Sequence, residues 1–281
     1  MIETAILKRN ESGQEISITE IMVHSYNFVM ANFLFFLKIA SLPIILWFSC
    51  ELFFDYLLFE HGKKYDSSIA RVLCTAAFIM LWYRFTLFGK EQTSYGKLFK
   101  HMRKSSVFSS KMFFASLGRV VITTAAMIIP TMAISLFMIY HHTEAGGEIT
   151  GTFLKTITQQ SAFMVSLMLS PIFVRLSFFS IAVSLGRATT TFREVWSITK
   201  GYTGVLWHLI FRAFLSLALY NYFVMSGIKR MVESYELHYF WTNLLVTLPA
   251  IFLIYIMLAI VIVANSEAFK ILFNITEDET P

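Results

Sequence analysis

The sequence has few charged residues. Only 15% of its 281 residues are Asp, Glu, Lys or Arg, whereas a soluble domain carries about 25%. Apolar residues make up 56% of the chain, and they are gathered in runs too long for the core of a soluble domain. The composition therefore excludes an ordinary soluble protein and indicates a membrane protein.

Several other signals are missing, and each absence narrows the class. The apolar runs do not alternate with polar residues, which excludes the strands of a membrane β-barrel. The N-terminal stretch "MIETAILKRNESGQEIS" lacks the apolar core of a signal peptide, so we expect the first span to act as the targeting signal. The chain has two cysteines, Cys50 and Cys74. A disulfide is one alternative, and two free thiols packed as small apolar residues are the favoured one.

Catalytic motifs are also missing. The chain has no H-E-x-x-H helix, no G-x-S-x-G elbow and no phosphate loop. The segment "HHTEAGGE", residues 141–148, is interpreted as a solvated turn rather than a metal site. Ser17 and Thr191 are better explained as helix caps than as nucleophiles. We therefore expect a protein that is not an enzyme, with no catalytic residue, no metal and no cofactor.

Six apolar segments are long enough to cross a bilayer, which takes roughly 20 residues. They cover about 33–59, 69–88, 112–140, 155–180, 205–226 and 240–264. The predicted fold is an all-α integral membrane protein with six transmembrane helices arranged as three hairpins. Residues 1–16 form a polar N-terminal segment, 17–275 a single membrane domain and 276–281 an acidic tail.

The positive charge follows the pattern of membrane topology. Lys and Arg favour the cytoplasmic side of short loops, and here they cluster before span one, between spans two and three, and between spans four and five. The sequence has no basic patch with interleaved aromatic residues, the pattern that would suggest a nucleic-acid partner. The sequence thus predicts a multi-pass protein of the bacterial inner (cytoplasmic) membrane with both termini in the cytoplasm.

The chain contains a threefold internal repeat, in copies of approximately 17–92, 93–186 and 187–275. The segments before spans one, three and five align when Ile18, Phe99 and Phe192 coincide. Then Ser25, Ser106 and Thr199 coincide, and so do three basic residues inside the spans: Lys38, Arg119 and Arg212. Spans two and four share a second similarity: residues 83–88, "YRFTLF", align with residues 174–179, "VRLSFF", so that Arg84 matches Arg175. Span six lacks this arginine, so either the third copy departs from the repeat there or the similarity between spans two and four is accidental.

Each odd-numbered span is preceded by a segment with the periodicity of an amphipathic helix. These segments lie near residues 17–31, 94–109 and 190–201. In the third, Phe192, Val195, Trp196 and Thr199 recur at helical spacing, which places them on one face, toward the membrane or the bundle. Ser17-x-x-Glu20 and Thr191-x-x-Glu194 have the pattern of a capping box. The alternative is that these segments are ordinary linkers.

Five basic residues lie inside the predicted spans near their cytoplasmic ends. They are Lys38, Arg84, Arg119, Arg175 and Arg212. Long basic side chains can snorkel to the headgroups. The alternative hypothesis is that several of them converge on the phosphate of an anionic lipid, as basic pockets between helices do.

One stretch resembles a known family. "VRLSFFSIAVSLGRATTTFREVWSITKGYTGVLW", residues 174–207, resembles bacterial six-helix inner-membrane proteins of the YciC type. The membrane domain attached to some glycerophosphodiester phosphodiesterases is similar. The matching positions are Arg175, Gly186, Arg193, Trp196, Thr199 and Gly201. The resemblance implies packed membrane helices and no particular reaction, and outside this stretch it rests on the six-span layout.

The favoured functional hypothesis is a non-catalytic inner-membrane protein. It would act through contact with membrane lipids, anionic ones included, or as an accessory or scaffold subunit of a membrane complex with protein partners. The alternative is a small transporter or lipid translocator. No carboxylate is predicted at mid-membrane to carry a proton, and a translocator would need a polar cavity there.

Overall fold

The computed structural model describes residues 6–8, 15–62, 67–90, 93, 129–144, 146, 149–184, 191–235 and 238–273. Helices account for nearly all of the described residues. Five of them are long and apolar enough to cross a membrane. The helical fold that the sequence predicts is thus confirmed, and the five helices are consistent with a multi-pass membrane protein. The beginning of the predicted third span, 112–128, and the segment at 94–109 lie outside the described residues.

Two short strands precede the first helix, and the sequence did not predict them. β1 (Ile6–Lys8) and β2 (Glu15–Ser17) pair antiparallel, with Leu7 opposite Ile16. The polar N-terminal segment is therefore not all helical or irregular. The ribbon ends at Ser17, which is also the N-cap of α1 (Ile18–Ala31), so β2 leads directly into the helix.

Helix α1 packs one face against the bundle. Its buried positions are Ile18, Ile21, Ser25 and Val29, a spacing that brings residues onto one side of a helix. The opposite side, which includes Glu20 and Val23, is exposed. Asn32 interrupts the helix, and the amide of its side chain donates to the Phe28 carbonyl at 2.9 Å.

The first hairpin consists of α2 (Phe33–His61) and α3 (Ser68–Phe88). At the end of this hairpin remote from α1, Glu51 Oε1 accepts hydrogen bonds from Trp47 Nε1 at 2.8 Å and from Ser67 Oγ at 2.5 Å. Glu51 therefore joins the end of α2 to the start of α3. Cys50 and Cys74 are free and half-buried, as the favoured alternative predicted.

The middle of the chain contributes two further helical stretches. Residues 129–144 are helical, here α4, and α5 spans Gly151–Ser184. At 34 residues α5 is about 51 Å long, well beyond the roughly 30 Å of a bilayer's hydrocarbon core. It therefore reaches past the predicted boundaries of span four, 155–180.

A seven-residue helix, α6 (Phe192–Ile198), precedes the next long helix, α7 (Thr203–Ser234). Between them Gly201 adopts φ of +92°, a conformation that only glycine adopts readily. Gly204 lies in the first turn of α7.

The last span is one continuous helix that contains a short π-helical segment. It runs from α8 (Tyr239–Thr242) through a π-helical segment, Asn243–Thr247, into α9 (Leu248–Leu272). Asn243 is buried, and its side-chain amide donates to Asp55 Oδ2 at 2.7 Å. This bond fixes the last span to α2 near the end opposite α1.

Helix α9 lies at the centre of the described bundle, in contact with α1, α2, α3, α5 and α7. Its C-terminal half is buried almost all round, as expected for a helix enclosed by others. The core beside it is aromatic: Phe36, Phe78, Trp82 and Tyr255 are fully buried and meet mainly edge to face. Trp82 Nε1 donates to the Ala259 carbonyl at 3.0 Å.

Candidate functional site: surface helix α6 and its arginine clamp

Helix α6 begins with the capping box that its sequence predicts. Thr191 Oγ1 accepts from the Glu194 amide at 3.2 Å, and the Thr191 amide donates to Glu194 Oε2 at 3.4 Å. The box satisfies free amides at the helix start. It matters here because a helix of seven residues is too short to be stable by itself.

The two sides of α6 have different environments. Val195 and Thr199 are buried. Phe192 and Trp196 are 54% and 36% exposed, and their rings stack at 5.6 Å. Thus the four residues placed on one face by the sequence divide into an inner pair, which packs on the bundle, and an outer aromatic pair.

Arg175 on α5 holds the C-terminal end of α6. Its Nε donates to Thr199 Oγ1 at 2.9 Å, its Nη2 donates to the Trp196 carbonyl, and its Cζ lies 3.5 Å from the centroid of the Trp196 ring. We call these contacts between Arg175, Trp196 and Thr199 the arginine clamp. Only 8% of Arg175 is exposed, so most of the guanidinium is surrounded by protein.

The clamp is favourable for two electrostatic reasons. The last carbonyls of a helix carry partial negative charge, and the cation of Arg175 lies against one of them. The face of an indole ring also attracts cations, more strongly where water is excluded. A buried charge is costly unless its donors find partners, and Thr199 and Trp196 supply them.

The equivalent positions in α1 make the same local contacts. Ser17 and Glu20 form the capping box of α1, with the Ser17 amide 3.2 Å from Glu20 Oε2. Buried Ser25 donates to the Ile21 carbonyl at 2.7 Å, and buried Thr199 donates to the Val195 carbonyl at 2.8 Å. These are the pairs that coincide in the aligned repeat, so the alignment matches residues with the same hydrogen bonds.

The other basic residues named by the sequence have different surroundings. Lys38 is exposed on α2, Arg84 is half-buried on α3 with its Cζ 5.5 Å from the Phe88 ring, and Arg212 is half-buried on α7. Arg119 lies outside the described residues. Arg175 instead contacts Trp196 and Thr199 in the clamp. Neither interpretation made from the sequence, snorkelling to the headgroups or binding a lipid phosphate, includes these protein contacts.

A second polar cluster lies where α3, α5 and α9 meet. Asn265 Nδ2 donates to Ser177 Oγ at 2.8 Å and lies 3.4 Å from the Tyr83 hydroxyl, and Thr86 Oγ1 lies 3.0 Å from Ser266 Oγ. We call these five residues the polar node. Hydrogen bonds of this kind join helices in membranes. The polar node was not predicted from the sequence, although the similarity between spans two and four aligns Thr86 with Ser177.

Three of the residues that carry the family resemblance form the clamp. Arg175 contacts both Trp196 and Thr199, whereas Gly201 forms the following turn and Arg193 is exposed. Gly186 lies outside the described residues. The spacing of this motif thus has a structural reason in this chain. No protein-family profile, no curated protein and no solved structure matches the chain.

Proposed function

We propose that the chain is a non-catalytic inner-membrane protein with six spans in three hairpins, similar in architecture to the YciC type. In this proposal α6 and its equivalents lie at the cytoplasmic interface. The protein acts there through contact with lipid or as an accessory subunit of a membrane complex. Five apolar helices in the described residues supply the membrane domain that the proposal requires.

The observation that carries the proposal is the outer aromatic pair of α6. Phe192 and Trp196 stack on the exposed side of a helix whose C-terminal end is held by a buried arginine. Aromatic side chains with this exposure are typical of the headgroup region of a bilayer. A surface helix held rigidly by its own protein also presents its side chains without the entropic cost of ordering them on contact.

The charges of α6 support the same location. Arg193 and Lys200 are exposed on the helix and at its end. Basic residues beside an apolar face favour anionic headgroups, each contributing about 1 kcal/mol near the surface. A chain with 29 Phe and 14 Met also offers an adaptable apolar surface to a protein partner.

A pair of labelled variants tests the proposed location of α6. With Cys50 and Cys74 replaced by alanine, a single cysteine at position 192 carries an environment-sensitive fluorophore, and a matched variant carries it at position 197, where Ser197 is exposed. In nanodiscs we expect emission from an apolar environment at 192 and from water at 197. Equal, water-like emission at both positions would contradict an interfacial role for α6.

Photo-crosslinking separates the two forms of contact. A photoreactive residue at position 192, outside the clamp, should label lipid if α6 serves lipid contact, and one defined protein if the chain is an accessory subunit. The control is position 197, where Ser197 is exposed on another side of α6. If 192 gives no product beyond that seen at 197, the proposed role of α6 is wrong.

A further inference from the structure

Helix α5 contains a proline in its interior. Pro171 lies well inside the continuous helix Gly151–Ser184. Proline has no N–H, so it cannot donate to the carbonyl four residues earlier, that of Leu167, and its ring crowds that carbonyl. Leu167 lies within the apolar stretch Thr156–Phe178, and in a membrane a backbone carbonyl without a donor is costly. The carbonyl therefore needs a partner other than the backbone.

Ser170 supplies this partner and links it to the neighbouring helix. Its Oγ donates to the Leu167 carbonyl at 2.6 Å and accepts a hydrogen bond from Trp207 Nε1 on α7 at 2.6 Å. The hydroxyl thus uses its one proton within α5 and a lone pair toward α7, and hydrogen bonds in series polarise one another. The Trp207 ring is stacked on Phe211, with centroids 4.9 Å apart.

The part of α5 that follows Pro171 is fixed to the bundle. Arg175 is bound in the arginine clamp. Ser177 accepts a hydrogen bond from Asn265 on α9 at 2.8 Å, and Phe178 is fully buried. These contacts reach three different directions from one short stretch of helix, so this part of α5 is held in place.

The part of α5 that precedes Pro171 is residues 151–170, here called the arm. Ser170 is its last residue, so the bond from Trp207 joins the arm to α7 directly beside the proline. A helix bends most easily where a proline has removed a backbone hydrogen bond, and a hinge is a position of this kind between two parts that each move as a unit. Because the part after Pro171 is anchored, bending there moves the arm.

We propose that Pro171 is a hinge and that the bond from Trp207 to Ser170 is the latch that keeps it closed. With the latch closed, α5 and α7 pack together. When it opens, the arm swings away from α7, and the seam between α5 and α7 parts on the side of Gly151 while the side of Arg175 stays shut. The hinge needs no contact of α6 with lipid or with a partner protein, so it goes beyond the function proposed above and stands independently of it.

Distances between pairs of spin labels in nanodiscs test the hinge. The background has Cys50 and Cys74 replaced by alanine. One pair joins position 158 on the arm to position 45 on α2, and the matched pair joins position 172, just after the proline, to the same position 45. The native residues Thr158, Ile172 and Ile45 are all exposed, so labels there fit without disturbing the core.

Trp207→Phe opens the latch with little other change, because it removes the N–H donor and keeps an aromatic ring against Phe211. Relative to the wild type, we expect the population of a second 158–45 distance to rise roughly three- to tenfold, the effect of one hydrogen bond. The 172–45 distance should stay the same. Trp241→Phe, at an exposed tryptophan, is the control and should change neither pair.

A second substitution distinguishes a hinge from general loosening of α5. Pro171→Ala restores an N–H that can donate to the Leu167 carbonyl. Combined with Trp207→Phe, it should return the 158–45 distances to the wild-type distribution. The proposal is overturned if Trp207→Phe leaves the 158–45 distances unchanged, if it broadens both pairs alike, or if the double variant remains as broad as the single one.

Discussion

At the scale of single residues, Arg175 is the side chain whose contacts best explain how α6 is held against the bundle. Its guanidinium is shared between the Thr199 hydroxyl, the Trp196 carbonyl and the Trp196 ring. Lysine could keep the charge but not the planar stack or the two directed bonds. The residue therefore stabilises α6 by its shape as well as its charge.

We expect Arg175→Met to loosen α6 without unfolding the spans. Loss of a charged hydrogen bond and the cation–π contact should cost about 2–3 kcal/mol. Hydrogen exchange at the amides of 195–199 should therefore accelerate roughly 30- to 150-fold in nanodiscs. Arg175→Lys should fall between Met and wild type, and Arg193→Met on the exposed side should change little. Unchanged exchange in Arg175→Met would show that the clamp does not hold α6.

A second residue-scale prediction concerns the polar node. Asn265 is 4% exposed, and its Oδ1 has no hydrogen-bond partner among the residues that the structure describes. Asn265→Leu therefore removes bonds and an unsatisfied group together, and we expect a loss of stability of about 1 kcal/mol or less. Ser177→Ala removes the 2.8 Å partner of Asn265 Nδ2 and leaves that amide less satisfied, so it should destabilise more. Unfolding midpoints in mixed micelles measure the order, and the reverse order would contradict this account.

The residue scale also shows what sequence reasoning could and could not reach. The capping residues Thr191 and Glu194 were predictable because the box is local, three residues apart. The contact between Arg175 and Thr199 joins two helices at positions 24 residues apart in the sequence. The resemblance had grouped these residues in one motif, but periodicity cannot say which side chains of two helices meet. Asn265 and Ser177 are 88 residues apart, and no local pattern links them.

At the scale of elements, α1 and α6 share a design at different lengths. Both begin with a capping box. Both also bury a hydroxyl: Ser25 in α1, one turn before the last buried residue Val29, and Thr199 at the end of α6. Helix α1 has 14 residues and packs along α9, whereas α6 has seven. The stability of the shorter helix, α6, therefore depends more on the contacts at its two ends, the capping box and the arginine clamp.

The cap substitutions should accordingly differ in effect. Thr191→Ala should cost about 1 kcal/mol and, because α6 has a single buried apolar residue, Val195, should expose the whole helix to exchange. Ser17→Ala should fray only the first turn of α1. Exchange profiles of the two variants provide the comparison. If both helices lose protection equally along their length, packing and not capping sets their stability.

Hydrophobicity predicted the first hairpin well but ended spans five and six too early: α7 ends at Ser234 and α9 at Leu272, each eight residues beyond the predicted end. The bounds of α2 and α3 differ from the sequence segments by two residues or fewer, since a long apolar run in membrane has no alternative to a helix. The π-helical segment at Asn243–Thr247 was not predicted. It places Asn243 against Asp55, a contact with a distant helix that leaves no periodic trace in its own sequence.

At the scale of the whole molecule, the number of spans decides the topology. Five helices in the described residues are long and apolar enough to span, and residues 129–144 are helical, overlapping the end of the predicted third span, 112–140. Six spans put both termini on one side, and five put them on opposite sides. The pattern of Lys and Arg favours one side, the cytoplasm.

Reporter fusions resolve this prediction directly. We expect a cytoplasm-dependent reporter to be active at both the N-terminus and the C-terminus, and a reporter that requires export to be active when inserted near Gly146. Matched insertions near Gly201 should give the cytoplasmic result. Termini on opposite sides would contradict the arrangement of three hairpins.

The lengths of α5 and α7 have a consequence for how the protein responds to its bilayer. Both helices exceed the hydrocarbon thickness, so each must tilt or extend into the headgroups, and the balance depends on lipid chain length. Helix α6 connects the same ends of both and is fixed to α5 by Arg175. We therefore expect thinner bilayers to increase the tilt of α5 and to rotate α6 with it, which would change how deeply Phe192 and Trp196 insert.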